Sequence, residues 1–129
     1  MAPKITEKDP DGYAPSDIIQ RLYNCLDLGR PGLDYTFLCR PENDFFYEHY
    51  IINDSDRINI LRKLTVENYD GWDYSNNSDF PNDIVHIFHT TASLLPRGQE
   101  DACEETVKLY IKITWTKPQT IMIVISFHD

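Results

Sequence analysis

The last twenty-four residues, Thr106–Asp129, constrain the fold more than any other stretch of the chain. They form two β-rich runs separated by a Lys117-Pro118 break, which is the signature of a hairpin. In the first run Val107, Leu109, Ile111, Ile113 and Trp115 alternate with Lys108, Tyr110, Lys112 and Thr114. A strand with this period turns the first set to a core and the second to the opposite face. Extending the same parity to the second run puts Ile121, Ile123, Ile125 and Phe127 on the core side. It leaves Met122, Val124, Ser126 and His128 on the other. The hairpin therefore predicts a greasy face and an open face carrying a tyrosine, two lysines, a serine and a histidine.

Upstream of the hairpin the signals are mostly helical. Residues 1–14 hold mixed charges, prolines and a glycine, and read as a flexible arm ahead of a single domain over 15–129. Ser16 is a candidate N-cap for a helix carrying Ile18, Ile19, Leu22, Tyr23 and Leu26, which Gly29 closes. Tyr35–Cys39 is short and β-prone. Pro41-Glu42-Asn43 opens a second short helix, and Ser55 caps a third that carries Ile58, Ile60, Leu61 and Leu64. Thr65–Tyr69 offers one further helical turn. Asp70–Asp83 holds Gly71, Pro81, four Asp and three Asn, and predicts a long polar loop in which Trp72 and Tyr74 either tuck back or face a ligand. Ile84–His89 resumes as a strand and Thr91–Glu105 reads as another loop. Helices followed by strands make an α+β fold, with N-terminal helices packed on an antiparallel sheet of three or more strands and the Lys/Tyr/His face left open.

A length of 129 residues suits one domain with a real core. The net charge of −9 is uneven: Lys108, Lys112 and Lys117 against Asp129 give the hairpin +2, so the first 105 residues carry −11. Such bulk charge repels nucleic acid at long range but leaves room for a local cationic site. Cys25, Cys39 and Cys103 lie far apart, are odd in number, and fit free thiols in a reducing cytoplasm. The N-terminus lacks the apolar segment of a signal peptide, and the longest apolar run, Ile121–Ile125, is too short to span a bilayer. A cytoplasmic protein with no membrane partner is the expectation.

Pairing the strand at 84–89 with the hairpin adds histidines to the open face. Assigning Val85 and Ile87 to the core turns His86 outward, and leaves His89 with core parity at a strand end. The expected cluster is His86, Tyr110, Lys112, Ser126 and His128, with Lys108 at its edge. This set fits RNA cleavage without a metal or other cofactor. A base takes the proton of the 2′-hydroxyl, a cation holds the phosphoryl oxygens, and an acid protonates the leaving 5′ oxygen. Lys108, Tyr110 and Lys112 also read, more plainly, as the solvated side of an amphipathic strand. No metal site is expected, because His86 and His89 point to opposite faces of a strand and the aspartates at 70–83 lack a Ca²⁺-loop spacing. The acidic stretches 70–83 and 99–105 read as solvated surface or as a docking element over the cationic face.

The order of motifs resembles a known family. Leu64-Thr65-Val66-Glu67-Asn68-Tyr69, a polar loop, a strand ending Ile87-Phe88, then Leu109–Ile113 and Val124–His128 are similar to the MqsR-like toxins of bacterial toxin–antitoxin pairs, within the RelE-like group of small ribonucleases. The similarity covers about residues 58–129, with a weaker echo in Arg40-Pro41-Glu42-Asn43, and rests most on Tyr110-Ile111-Lys112 and Ser126-Phe127-His128. It implies a RelE-like α+β domain, metal-independent cleavage of mRNA, and neutralisation by a cognate antitoxin protein, with DNA met only through an antitoxin complex. The catalytic residues that the resemblance implies are Tyr110, Lys112 and His128; the strand pattern adds His86 to them, and Lys108, Ser126 and His89 as candidate substrate contacts. The chain departs from the family where His89-Thr90 and Asp70-Gly71 replace basic residues, and where 91–105 looks like an acidic insertion. A second reading is a non-catalytic relative that binds a protein partner through its acidic loops, as an inhibitor or a nucleic-acid mimic.

Overall fold

The computed structural model describes residues 8–77, 79, 81–116 and 121–129. Among these residues the chain forms three α-helices and one curled, mixed six-stranded sheet. The order is α1 (Pro15–Leu28), β1 (Tyr35–Phe37), α2 (Pro41–His49), β2 (Tyr50–Ile51), α3 (Asp54–Arg62), a 3₁₀ turn (Val66–Asn68), β3 (Tyr69–Tyr74), β4 (Ile84–Pro96), β5 (Glu105–Trp115) and β6 (Met122–His128). The α+β class follows. The helices are not a purely N-terminal block, because β1 and β2 interleave with them, and the sheet is not purely antiparallel.

The hairpin is its centre. β5 runs antiparallel between β4 and β6. β1 joins the far side of β6 in parallel, with Tyr35 opposite Met122 and Phe37 opposite Val124. A parallel neighbour requires a long connection rather than a tight turn, and the rest of the chain supplies it. The Lys117-Pro118 turn expected between β5 and β6 lies outside the described residues. β4 is long enough to hold β3 along Ile84–Phe88 and β2 at Leu95 and Pro96, on the same side.

Both predicted loops are therefore shorter than expected. In the stretch read as loop 70–83, β3 runs on to Tyr74 with Trp72 buried, and the strand bulges between the buried Tyr69 and Gly71. Gly71 sits at φ 115°, a backbone region that side chains avoid, so the glycine that suggested a loop serves the bulge. Trp72 tucks onto the body, and Tyr74 is exposed. In the stretch read as loop 91–105, β4 continues to Pro96 with Thr91 and Ser93 exposed, and β5 begins at Glu105. Small polar residues on a solvated strand face resemble loop composition.

α1 lays Ile18, Ile19, Leu22 and Leu26 against the sheet and packs with α3. They meet Leu61, Leu64, Phe88, Leu109, Ile111, Ile113 and Phe127, all fully buried or nearly so. The caps fall slightly upstream of the predicted serines. Ala14 precedes Pro15, and its N–H donates to the Asp17 carboxylate at 2.9 Å; Asn53 accepts from Asp56 N–H at 2.9 Å. Proline at the first helical position needs no N–H partner, which moves the start of α1 ahead of Ser16. Gly29 closes α1 in the left-handed region, donating to Cys25 O at 3.1 Å. Of the stretch read as an arm, residues 1–7 lie outside the described ones. Asp9 is buried, accepting from the backbone N–H groups of Asp11 and Tyr13 at 2.9 Å each, and Tyr13 packs on the core.

The parity of β6 differs from a straight strand. Met122, Val124 and Phe127 are fully buried, while Ile121, Ile123 and Ile125 are half-exposed. The register slips by one between Lys112 and Ile113, so that Ser126 faces Lys112 but Val124 faces Ile113. The extra residue, Ile125, is a β-bulge. Asn43 on α2 holds it. Its amide donates to Ile125 O at 2.9 Å and Leu38 O at 3.0 Å, and its oxygen accepts from Phe127 N–H at 2.9 Å. One side-chain amide thus takes the place of a strand where β1 has ended.

Candidate functional site

The pairing of β4, β5 and β6 decides which side chains share the open face. His89, Tyr110 and His128 stand opposite one another across the three strands. The ring centroids are 5.3 Å apart for His89 and Tyr110 and 5.6 Å for Tyr110 and His128. The next row is Ile87, Lys112 and Ser126. Lys108 lies on the same face beyond Tyr110, opposite Thr91, and is exposed. Of the expected cluster, Tyr110, Lys112, Ser126, His128 and Lys108 are brought together, and His89 joins them.

His86 does not. It pairs with Ile113 and Trp72, on the core side, and is 2% exposed. The expectation failed because Val85 and Ile87 are buried on the other face, beneath the open row. The first half of β4 is covered on both sides, so its apolar residues did not reveal which side was core. The His86 Nδ1 lies 2.9 Å from the Tyr69 hydroxyl and its Nε2 3.7 Å from Asp9 Oδ2. Burial, with the Arg21 charge adding and Asp11 opposing, pushes its pKa down to about 3. Burial and the Asp9 charge push the Tyr69 phenol up. This is a neutral structural histidine beneath α1 and the 8–14 segment.

Three charged residues complete the face, none of them assigned a site role from the sequence. Arg40, the residue before α2, donates from Nη1 to Ser126 Oγ at 3.3 Å. Its position depends on the Asn43 clamp that docks α2 on β6, so strand parity carries no sign of it. Asp70, in the β3 bulge, pairs its carboxylate with His89 Nδ1. Asp73 stands opposite Val85 on β3. Burial and the Arg40 charge lower the Lys112 pKa, against Asp73. Burial is also the main reason why the Tyr110 phenol is raised, with Asp73 adding and Arg40 opposing. Two cations held close in a half-desolvated place gain from an anion between them, and a phenol of raised pKa stays a hydrogen-bond donor at neutral pH.

The row of Lys112 opens into a cleft of about 780 Å³. Arg40 and Lys112 stand at one end, and Val85, Ile123 and Ile125 form an apolar floor. Among the described residues no group of three or more His, Cys, Asp or Glu side chains is placed to hold a metal ion. No helix among them is long and apolar enough to cross a membrane. Cys25 is half-buried, while Cys39 and Cys103 are exposed; all three are free thiols. Comparison with protein-family models, with curated proteins and with solved structures finds no match to the chain.

Proposed function

We propose that the chain is an MqsR-like toxin with a RelE-like fold, a metal-independent endoribonuclease that cleaves mRNA in the cytoplasm and is silenced by a cognate antitoxin protein. The observation that carries this reading is the row His89–Tyr110–His128 beside Lys112, Ser126 and Arg40, on an open sheet face of an otherwise acidic protein. In the reaction one imidazole takes the proton of the 2′-hydroxyl, whose oxygen attacks the adjacent phosphorus. The P–O5′ bond breaks, the second imidazole gives the leaving oxygen a proton, and the product is a 2′,3′-cyclic phosphate. Lys112 and Arg40 neutralise the non-bridging oxygens, and the Tyr110 hydroxyl donates a hydrogen bond to one of them. Asp70 orients His89 as the carboxylate does in other Asp–His pairs. His86, buried and depressed, takes no part.

The test is expression of the wild type and of a Lys112→Ala/His128→Ala double variant without any antitoxin, following growth and mRNA integrity. The wild type is expected to arrest growth and degrade mRNA, with EDTA leaving the purified activity intact. Unchanged growth and mRNA would sink the enzyme reading and leave the protein-binding one. Equal toxicity of the double variant would sink the residue assignment.

A further inference from the structure

We propose that the cleft beside Lys112 is a nucleobase subsite, which seats the base of the nucleotide flanking the phosphate held by Lys112 and Arg40. The inference rests on the ribonuclease reading and adds to it where the RNA is gripped.

The cleft is graded in chemistry from end to end. Arg40 and Lys112 supply positive charge at the end nearest the Tyr110 row. Val85 on β4 and Ile123 and Ile125 on β6 supply an apolar floor, with Thr114 of the intervening β5 between them. Ser75, Asn76 and Asn77 follow β3 and bring a hydroxyl and two amides to the opposite wall. A phosphate alone uses only the first of these. A nucleoside phosphate uses all three: anion on the cations, aromatic face on the floor, and base edge on the amides. The dimensions agree. Lys112 and Tyr110 are two residues apart on β5, roughly 7 Å. That spacing lets one phosphate lie between the rows while the adjoining base reaches past Lys112. The volume of about 780 Å³ exceeds what a phosphate needs and holds a nucleotide. The floor exists because the Ile125 bulge turns Ile123 and Ile125 to this side, which a straight β6 would not do.

The test is titration of the intact protein with inorganic phosphate, ribose 5-phosphate, and adenosine and cytidine 3′-monophosphates, followed by amide and side-chain NMR shifts. The 3′-nucleotides are expected to bind at least roughly tenfold tighter than phosphate and to shift Val85, Ile123 and the Asn76 and Asn77 amides. An Asn76→Ala/Asn77→Ala variant, altered only at exposed loop positions, is expected to lose most of that gain while its phosphate affinity stays. Lys112→Met is expected to weaken all four ligands. Nucleotides that bind no tighter than phosphate overturn the base subsite and leave the cationic site standing. Nucleotide binding unaffected by the loop variant overturns its location. If no ligand binds, the base subsite falls together with the phosphate role of Lys112 and Arg40.

Discussion

Replacing Asn43 by alanine removes the side chain that clamps the bulge in β6, and its cost is calculable from the structure. Asn43 is 1% exposed and makes three hydrogen bonds to backbone. Phe127 N–H, in a residue with no exposure, loses its acceptor and finds no water, a penalty of roughly 1–3 kcal/mol. Ile125 O, half-exposed, loses about 1 kcal/mol. Leu38 is 43% exposed, so its carbonyl turns to solvent at little cost. The sum is about 3 kcal/mol, which at a urea m-value of roughly 1.5 kcal/mol/M lowers the unfolding midpoint by about 2 M. Asn43→Asp keeps the shape but aims a carboxylate oxygen at two carbonyls, and is expected to be at least as damaging. Because the bulge sets the register of Ser126 and His128, RNA cleavage falls in the folded variants as well. A midpoint shift worth less than about 1 kcal/mol at unchanged m for the alanine variant, or recovery of stability by the aspartate, would refute the clamp.

Three further outcomes are expected. The fold holds His86 neutral, its pKa pushed to about 3 from an ordinary 6.5, so its stabilisation is complete above pH 6.5 and is lost as pH falls toward 3. The slope is at most about 1.4 kcal/mol per pH unit, and urea midpoints of a His86→Asn variant should show a shallower decline over that window; an identical slope rejects the assignment. Asp70→Asn removes the charged partner of His89 and should cut RNA cleavage roughly tenfold and reshape its pH profile. Thermal stability should barely move, since the pair is well exposed, and a change in stability alone counts against a positioning role. If Lys112 holds phosphate as proposed, it does so while charged, so binding is expected to hold at lower pH and to be lost as pH rises through its lowered pKa. Arg40→Ala removes one cause of that lowering and should move the alkaline limit of phosphate binding upward while weakening affinity; a limit that moves down contradicts the coupling.

The strict alternation of β5 made the open face legible, because five apolar residues at period two leave Tyr110 and Lys112 nowhere else to go. The same reasoning placed Ser126 and His128 on that face. It misplaced Met122, Val124, Ile123 and Ile125, because a bulge changes parity without a mark in composition. His86 and His89 exchanged faces for a related reason: Val85 and Ile87 are buried on the side of Lys112, and hydropathy reports burial, not which side. Arg40 and Asp70 reach the site through a helix docking and a bulge, which are contacts between distant segments. Asp70–Tyr74 looked like a loop because glycine and aspartate mark a strand kink and a turn alike.

Among the described residues, β4 is paired with strands on its outer side at its two ends, by β3 up to Phe88 and by β2 at Leu95 and Pro96. Between those grips, the carbonyl of His89 takes a bond from the Asn68 amide at 3.2 Å. The two grips belong to segments far apart in the chain, so neither must open when the other does. Amide exchange along this flank is therefore set by two separate local openings. The one at β3 carries Asp70, so its frequency sets how long His89 keeps its partner.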